Sequence, residues 1–62
     1  MMIFLDGLKK PVKHSGSIAG LLKKLNVRRE EVVVKVNGKL VPETAEVGIR
    51  DKVEIIKVIF GG

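Results

Sequence analysis

Side-chain chemistry is sparse in this sequence. It has no cysteine, and its single histidine, His14, has neither a thiol partner nor the companions a metal site needs. Asp51 and Glu54 resemble a carboxylate pair, but one falls in a turn and the other on a strand, so both are expected to be surface charges. No catalytic side chain and no metal site is therefore assigned. What remains is main chain, because the sequence closes on Gly61-Gly62 directly after an apolar segment. The α-carboxyl of Gly62, with a reference pKa of about 3.5, is a carboxylate near neutrality and a poor acyl donor until ATP converts it into an acyl-adenylate. Sulfur or an amine can then attack its carbonyl. Glycine suits such an end, since lack of a Cβ admits the tail to a narrow channel and leaves the carbonyl unhindered. Phe60 to Gly62 spans roughly 10 Å at about 3.3 Å per residue, far enough to enter a neighbouring active site from a docked domain. The expected organisation is a folded handle over residues 1–60 and a flexible tail at 61–62.

Size fits that organisation. Sixty-two residues, 45% hydrophobic and 31% charged, suffice for one domain that buries only roughly 60% of its unfolded surface. Without disulfides or thiolate metal ligands, packing alone must hold it. The longest apolar run is too short for a bilayer and no leader segment precedes the fold, so a cytoplasmic protein without membrane contact is expected. The net charge of +5 is unevenly spread: +6 through Arg29 and −1 from Glu30 onward. Such a basic half reads as a solvated lysine-rich face, or as a docking patch for an acidic partner or RNA. Aromatic content of 3%, Phe4 and Phe60 alone, offers little for stacking bases and argues against nucleic acid.

Met2-Ile3-Phe4-Leu5 favours a strand, Asp6-Gly7 a turn, and Lys10 to His14 a second strand that Pro11 marks as an edge. Ser17 is the expected N-cap of an amphipathic helix of about two turns, whose stripe is Ile18, Leu21, Leu22 and Leu25. Asn26 is suited to end it in a left-handed conformation. Gly20 lies off the stripe and costs roughly 1 kcal/mol against alanine there, marking a close approach by another chain or nothing. After a polar connection at 28–31, Val32 to Val36 is β-branched almost throughout, predicting a central strand buried on much of both faces. Asn37-Gly38 signals a tight hairpin turn into Lys39-Leu40-Val41, which Pro42 stops. Residues 43–48 read as polar connection, and 53–60 as the last strand.

This order, β-β-α-β-β-β, predicts an α+β fold of the β-grasp type: a small mixed sheet with one helix across one face and the last strand inserted within it. Val53 and Ile55 would face the helix. Ile56, Val58 and Phe60 then emerge on the uncovered face, where they are candidates for docking a partner.

The sequence resembles the ThiS and MoaD group of sulfur-carrier proteins, within the ubiquitin-like β-grasp modifiers, and is most similar to the thiamine-pathway carrier. Ser17-Ile18-Ala19 leading into Leu21-Leu22 and Leu25, Glu31-Val32-Val33-Val34, Val36-Asn37-Gly38 with Val41-Pro42, Val53-Glu54-Ile55-Ile56 and Gly61-Gly62 carry the likeness over nearly the whole chain. In that family an acid-Gly-acid turn precedes the last strand; here Ile49-Arg50-Asp51 keeps only the final acid, and the stretch from Pro42 to Val47 is shorter and lacks an aromatic residue. The resemblance implies that a ubiquitin-activating-type adenylyltransferase uses MgATP on Gly62, that a persulfide donor then leaves a thiocarboxylate, and that a biosynthetic enzyme for thiamine, molybdopterin or transfer-RNA thiolation accepts the sulfur. It implies a carrier acting as co-substrate, not an enzyme, with no cofactor of its own. Alternative expectations are a small modifier joined to lysines through Gly62, a basic RNA-binding module, and an interaction domain with an inert tail.

Overall fold

The helix forms where the apolar spacing puts it. In the computed structural model, which describes residues 1–5 and 7–58, α1 spans Ile18–Lys24, with Ile18, Leu21 and Leu22 buried and Leu25 half-buried. Ser17 caps it, its Oγ accepting from the Gly20 N–H at 3.0 Å. The two preceding donors are met by a distant loop: Ile18 N–H reaches the Ala45 carbonyl at 2.8 Å and Ala19 N–H that of Glu43 at 2.9 Å. At the other end Asn26 takes φ 58°, with Val27 N–H on the Leu22 carbonyl and Asn26 N–H on that of Lys23, the paired bonds of a Schellman ending. Gly20 does mark a close approach, but from within the chain. A Cβ there would lie 3.3 Å from Ser17 Oγ and 3.5 Å from the His14 ring.

Around this helix the described residues form strands β1 (Met2–Leu5), β2 (Leu8–Pro11), β3 (Gly16–Ser17), β4 (Val32–Val36), β5 (Lys39–Val41), β6 (Glu46–Val47) and β7 (Lys52–Lys57). Five of them make a mixed sheet ordered β2-β1-β7-β4-β5, with β7 parallel to β1 and antiparallel to β4. This is the expected β-grasp. Asn37 and Gly38, at φ 52° and 85°, make the tight turn between β4 and β5. The core is Ile3, Ile18, Leu21, Leu22, Val34, Val47, Val53 and Ile55, each apolar side chain worth roughly 1.5–3 kcal/mol when fully buried.

Three expectations are corrected. The central strand is β7, not β4, and β4 is buried on one face only: Val34 is in the core while Val33 is 40% exposed. A β-branched run tolerates either environment, so composition alone could not separate them. The second strand runs over Leu8–Pro11 rather than from Lys10 to His14, because the ladder with β1 starts at Leu5 opposite Leu8. The segment 43–48 is more than connection: β6 pairs with β3 and buries Val47, closing the start of α1. Strands of two residues leave no periodic signal.

Candidate functional site

Strand alternation sorts the sheet into two faces. Ile3, Val34, Val53 and Ile55 lie beneath α1, so the residues between them face away from it. Register aligns Lys9, Phe4, Glu54, Lys35 and Leu40 in one row across the open face, with Ile56 opposite Val33 in the next row toward the end of β7. Ile56 is 41% exposed, nearly as Val33 is, and Leu40 is more exposed still. Ile56 therefore sits where the sequence put it. Val33, Leu40 and Phe4 join it without having been singled out, because only the long-range pairing of β4 with β7 brings them to one face.

Charge surrounds this apolar patch. Lys52 Nζ lies 5.0 Å and Lys9 Nζ 6.0 Å from the centre of the Phe4 ring, distances at which a cation is attracted to an aromatic face. A hollow of about 320 Å³ opens beside them, lined by Phe4, Gly7, Lys52, Glu54, Ile55 and Ile56.

The strand that leads toward the C-terminus leaves the sheet at its centre. Beyond Lys57, Val58 is half-buried and its N–H donates to the Glu31 carbonyl at 2.8 Å, tying the end of β7 to the 3-10 turn at Arg29–Glu31. That turn is itself held, since Arg29 pairs with Glu43 across the chain and with Glu30 beside it. The bond to Glu43 keeps the Arg29 guanidinium further above its ordinary pKa. Of the candidate docking residues, Ile56 lies on β7 and Val58 just past its end, because the strand stops at Lys57 instead of continuing through residue 58 as expected; Phe60 and the Gly61-Gly62 pair lie outside the described residues.

The remaining chemical candidates have structural places. His14 Nε2 is 3.0 Å from the Ser17 carbonyl oxygen, so the ring packs onto the start of α1. Asp51 is a surface carboxylate held at both oxygens: Oδ2 accepts from Gly48 N–H at 2.7 Å and Oδ1 from Asn37 Nδ2 at 2.9 Å. Both bonds favour the ionised form, the Gly48 amide most, and hold its carboxyl below the usual aspartate value. Glu54 takes its place in the open-face row, on the strand after this turn. Among the described residues no three His, Asp or Glu side chains gather as a metal would require, and no helix is long and apolar enough to cross a membrane.

Comparison with known proteins gives a family match and a fold match. The model of the ThiS family matches residues 5–62. The crystal structure of a thiamine biosynthesis protein (ThiS) from Geobacter metallireducens is similar over the whole of both chains, at 28% identity and a TM-score of 0.69. No curated protein matches the chain.

Proposed function

The chain belongs to the ThiS family, and on that footing we propose that it carries sulfur on the α-carboxyl of Gly62, with Gly61 giving the unhindered approach. Proteins of this family are small sulfur carriers of the thiamine pathway, not catalysts. The observation that carries the proposal is that the family match runs through residue 62, so it includes both terminal glycines as well as the domain.

In the proposed sequence this chain is a co-substrate. A ubiquitin-activating-type adenylyltransferase in the cytoplasm binds MgATP as its own substrate, and a Gly62 carboxylate oxygen attacks the α-phosphorus. Pyrophosphate leaves and an acyl-adenylate forms. The outer sulfur of a persulfide donor attacks the carbonyl and expels AMP, giving an acyl disulfide. A thiol then cleaves the sulfur–sulfur bond, which leaves a thiocarboxylate on Gly62 and carries away a disulfide. A thiamine-biosynthetic enzyme takes the sulfur. The contribution of the fold is positional: the domain docks through Ile56, Val58 and Phe60, and the chain beyond Val58 delivers the carboxylate.

Isotopic ATP–pyrophosphate exchange with a ThiS-family activating enzyme tests this. Exchange is expected with the full chain and is expected to vanish when Gly62 is deleted. Equal exchange by the shortened chain would refute it.

A further inference from the structure

The open face of the sheet is apolar near the outgoing end of β7 and cationic further back. Along β7, Ile56 is nearest that end, with Val33 opposite it; Glu54 follows, and Lys52 begins the strand. Lys9, Lys35 and Lys52 all lie on this face, and among the described residues one carboxylate, Glu54, lies with them. No ion pair engages any of the three lysines among the described residues, in contrast to Arg28 and Arg29, which are paired with Glu31, Glu30 and Glu43. Two of the lysines are instead held over Phe4. A surplus of unpaired cations around an exposed apolar patch disfavours a second copy of this chain, which would bring like charges together.

We propose that this face is built for a protein surface of graded character, an apolar contact for Ile56 and Val33 followed by carboxylates for Lys9, Lys35 and Lys52, and that the activating enzyme presents it. The assignment rests on the proposed sulfur-carrier function and adds the chemistry of the partner. The four steps along the strand from Ile56 back to Lys52 cover about 13 Å at roughly 3.3 Å each. The acidic groups of the partner therefore lie up to that distance behind the apolar contact, on the side away from the channel that takes the tail. The hollow beside Phe4 receives a side chain from the partner between the two zones. Such complementarity acts mainly on encounter and on orientation, so it sets the KM for the carrier more than kcat.

The test is carrier-dependent ATP–pyrophosphate exchange by a ThiS-family activating enzyme over a salt series, joined to carbodiimide cross-linking of the same mixture. Lys9→Glu, Lys35→Glu and Lys52→Glu are each expected to raise KM by about five- to tenfold at low salt, leave kcat within about twofold, and flatten the salt dependence. Lys23→Glu, on the exposed side of α1, serves as control and is expected to change KM less than about twofold. Cross-linked peptides are expected to join Lys9, Lys35 or Lys52 to aspartates or glutamates of the enzyme. The assignment is overturned if the three reversals match the Lys23 control, or if cross-links involve only Lys10, Lys13, Lys23 and Lys24. It is equally overturned if the reversals spare exchange but abolish binding of a poly-uridylate oligonucleotide, which would give the face to RNA. Absence of exchange with the wild-type chain overturns the sulfur-carrier function itself, and this assignment with it; exchange that depends on Gly62 but ignores the lysines overturns only the assignment.

Discussion

Asn37 Nδ2 donates to Asp51 Oδ1 at 2.9 Å, joining the turn between β4 and β5 to the loop that precedes β7. The tie is reciprocal, because Asn37 N–H also donates to the Lys52 carbonyl at 2.8 Å and Asn37 Oδ1 accepts from Lys52 N–H at 3.0 Å. One asparagine thereby serves a left-handed turn position and fixes the start of the central strand.

Replacing Asn37 removes both services. Asn37→Ala loses the side-chain bonds and places an ordinary residue at φ 52°, costing about 1–3 kcal/mol. A lower urea midpoint with an unchanged slope is the expected result. Asn37→Gly, which restores only the turn conformation, should recover part of the loss; full recovery would show that the bonds to Asp51 and Lys52 contribute nothing.

Acid should weaken the same tie. The Asp51 carboxyl is held below its unfolded value by Gly48 N–H and Asn37 Nδ2, so the folded state binds its proton less readily than the unfolded chain. Its contribution is therefore fully present above the ordinary aspartate value and is lost as the pH falls through the lowered one. The stability difference between wild type and Asp51→Asn is expected to shrink as pH falls from neutral to below that range. A constant difference across the titration contradicts the assignment.

The two sides of the sheet should answer oppositely to substitution. Leu21→Ala beneath the helix removes a fully buried side chain and should cost about 2–5 kcal/mol. Ile56→Asp on the open face should leave the cooperative thermal transition nearly unchanged while weakening docking on the activating enzyme. Unfolding by Ile56→Asp, followed by circular dichroism, would make that side chain part of the core.

Gly20 offers a test of crowding against propensity. Alanine gains roughly 1 kcal/mol in a helix, but its Cβ would sit 3.3 Å from the Ser17 oxygen that caps the helix and 3.5 Å from His14. Ser17 cannot retreat without loosening its bond to Gly20 N–H, so Gly20→Ala is expected to lower the thermal midpoint. A rise would mean that the cap yields freely.

Most of the fold was legible because its signals are local. Ser17, the stripe from Ile18 to Leu25, Asn26 and the Asn37-Gly38 turn each specify an element through neighbours a few residues away, and each stands as read. Signals that depend on distant partners were not legible. Val33 reads as core until β4 is paired with β7, and Val47 reads as loop until β3 is brought beside it. Asp51, keeping the last acid of the family turn, is the surface charge expected, but its tie to Asn37 is not legible because that partner is fourteen residues away. Within the candidate site, Ile56 followed from alternation along one strand, whereas its neighbours Val33, Phe4 and Leu40 followed only from the sheet order.

The central claim concerns the last atoms of the chain, and intact-mass spectrometry reads them directly. The chain is incubated with a ThiS-family activating enzyme, MgATP, a persulfide donor and a thiol, then sequenced from its C-terminus in the gas phase. The expected result is an ATP-dependent mass increase equal to the exchange of one oxygen for sulfur, located on Gly62 and absent from the chain lacking that residue. No ATP-dependent increase, or the same increase located on Met1 or Met2, would contradict the account.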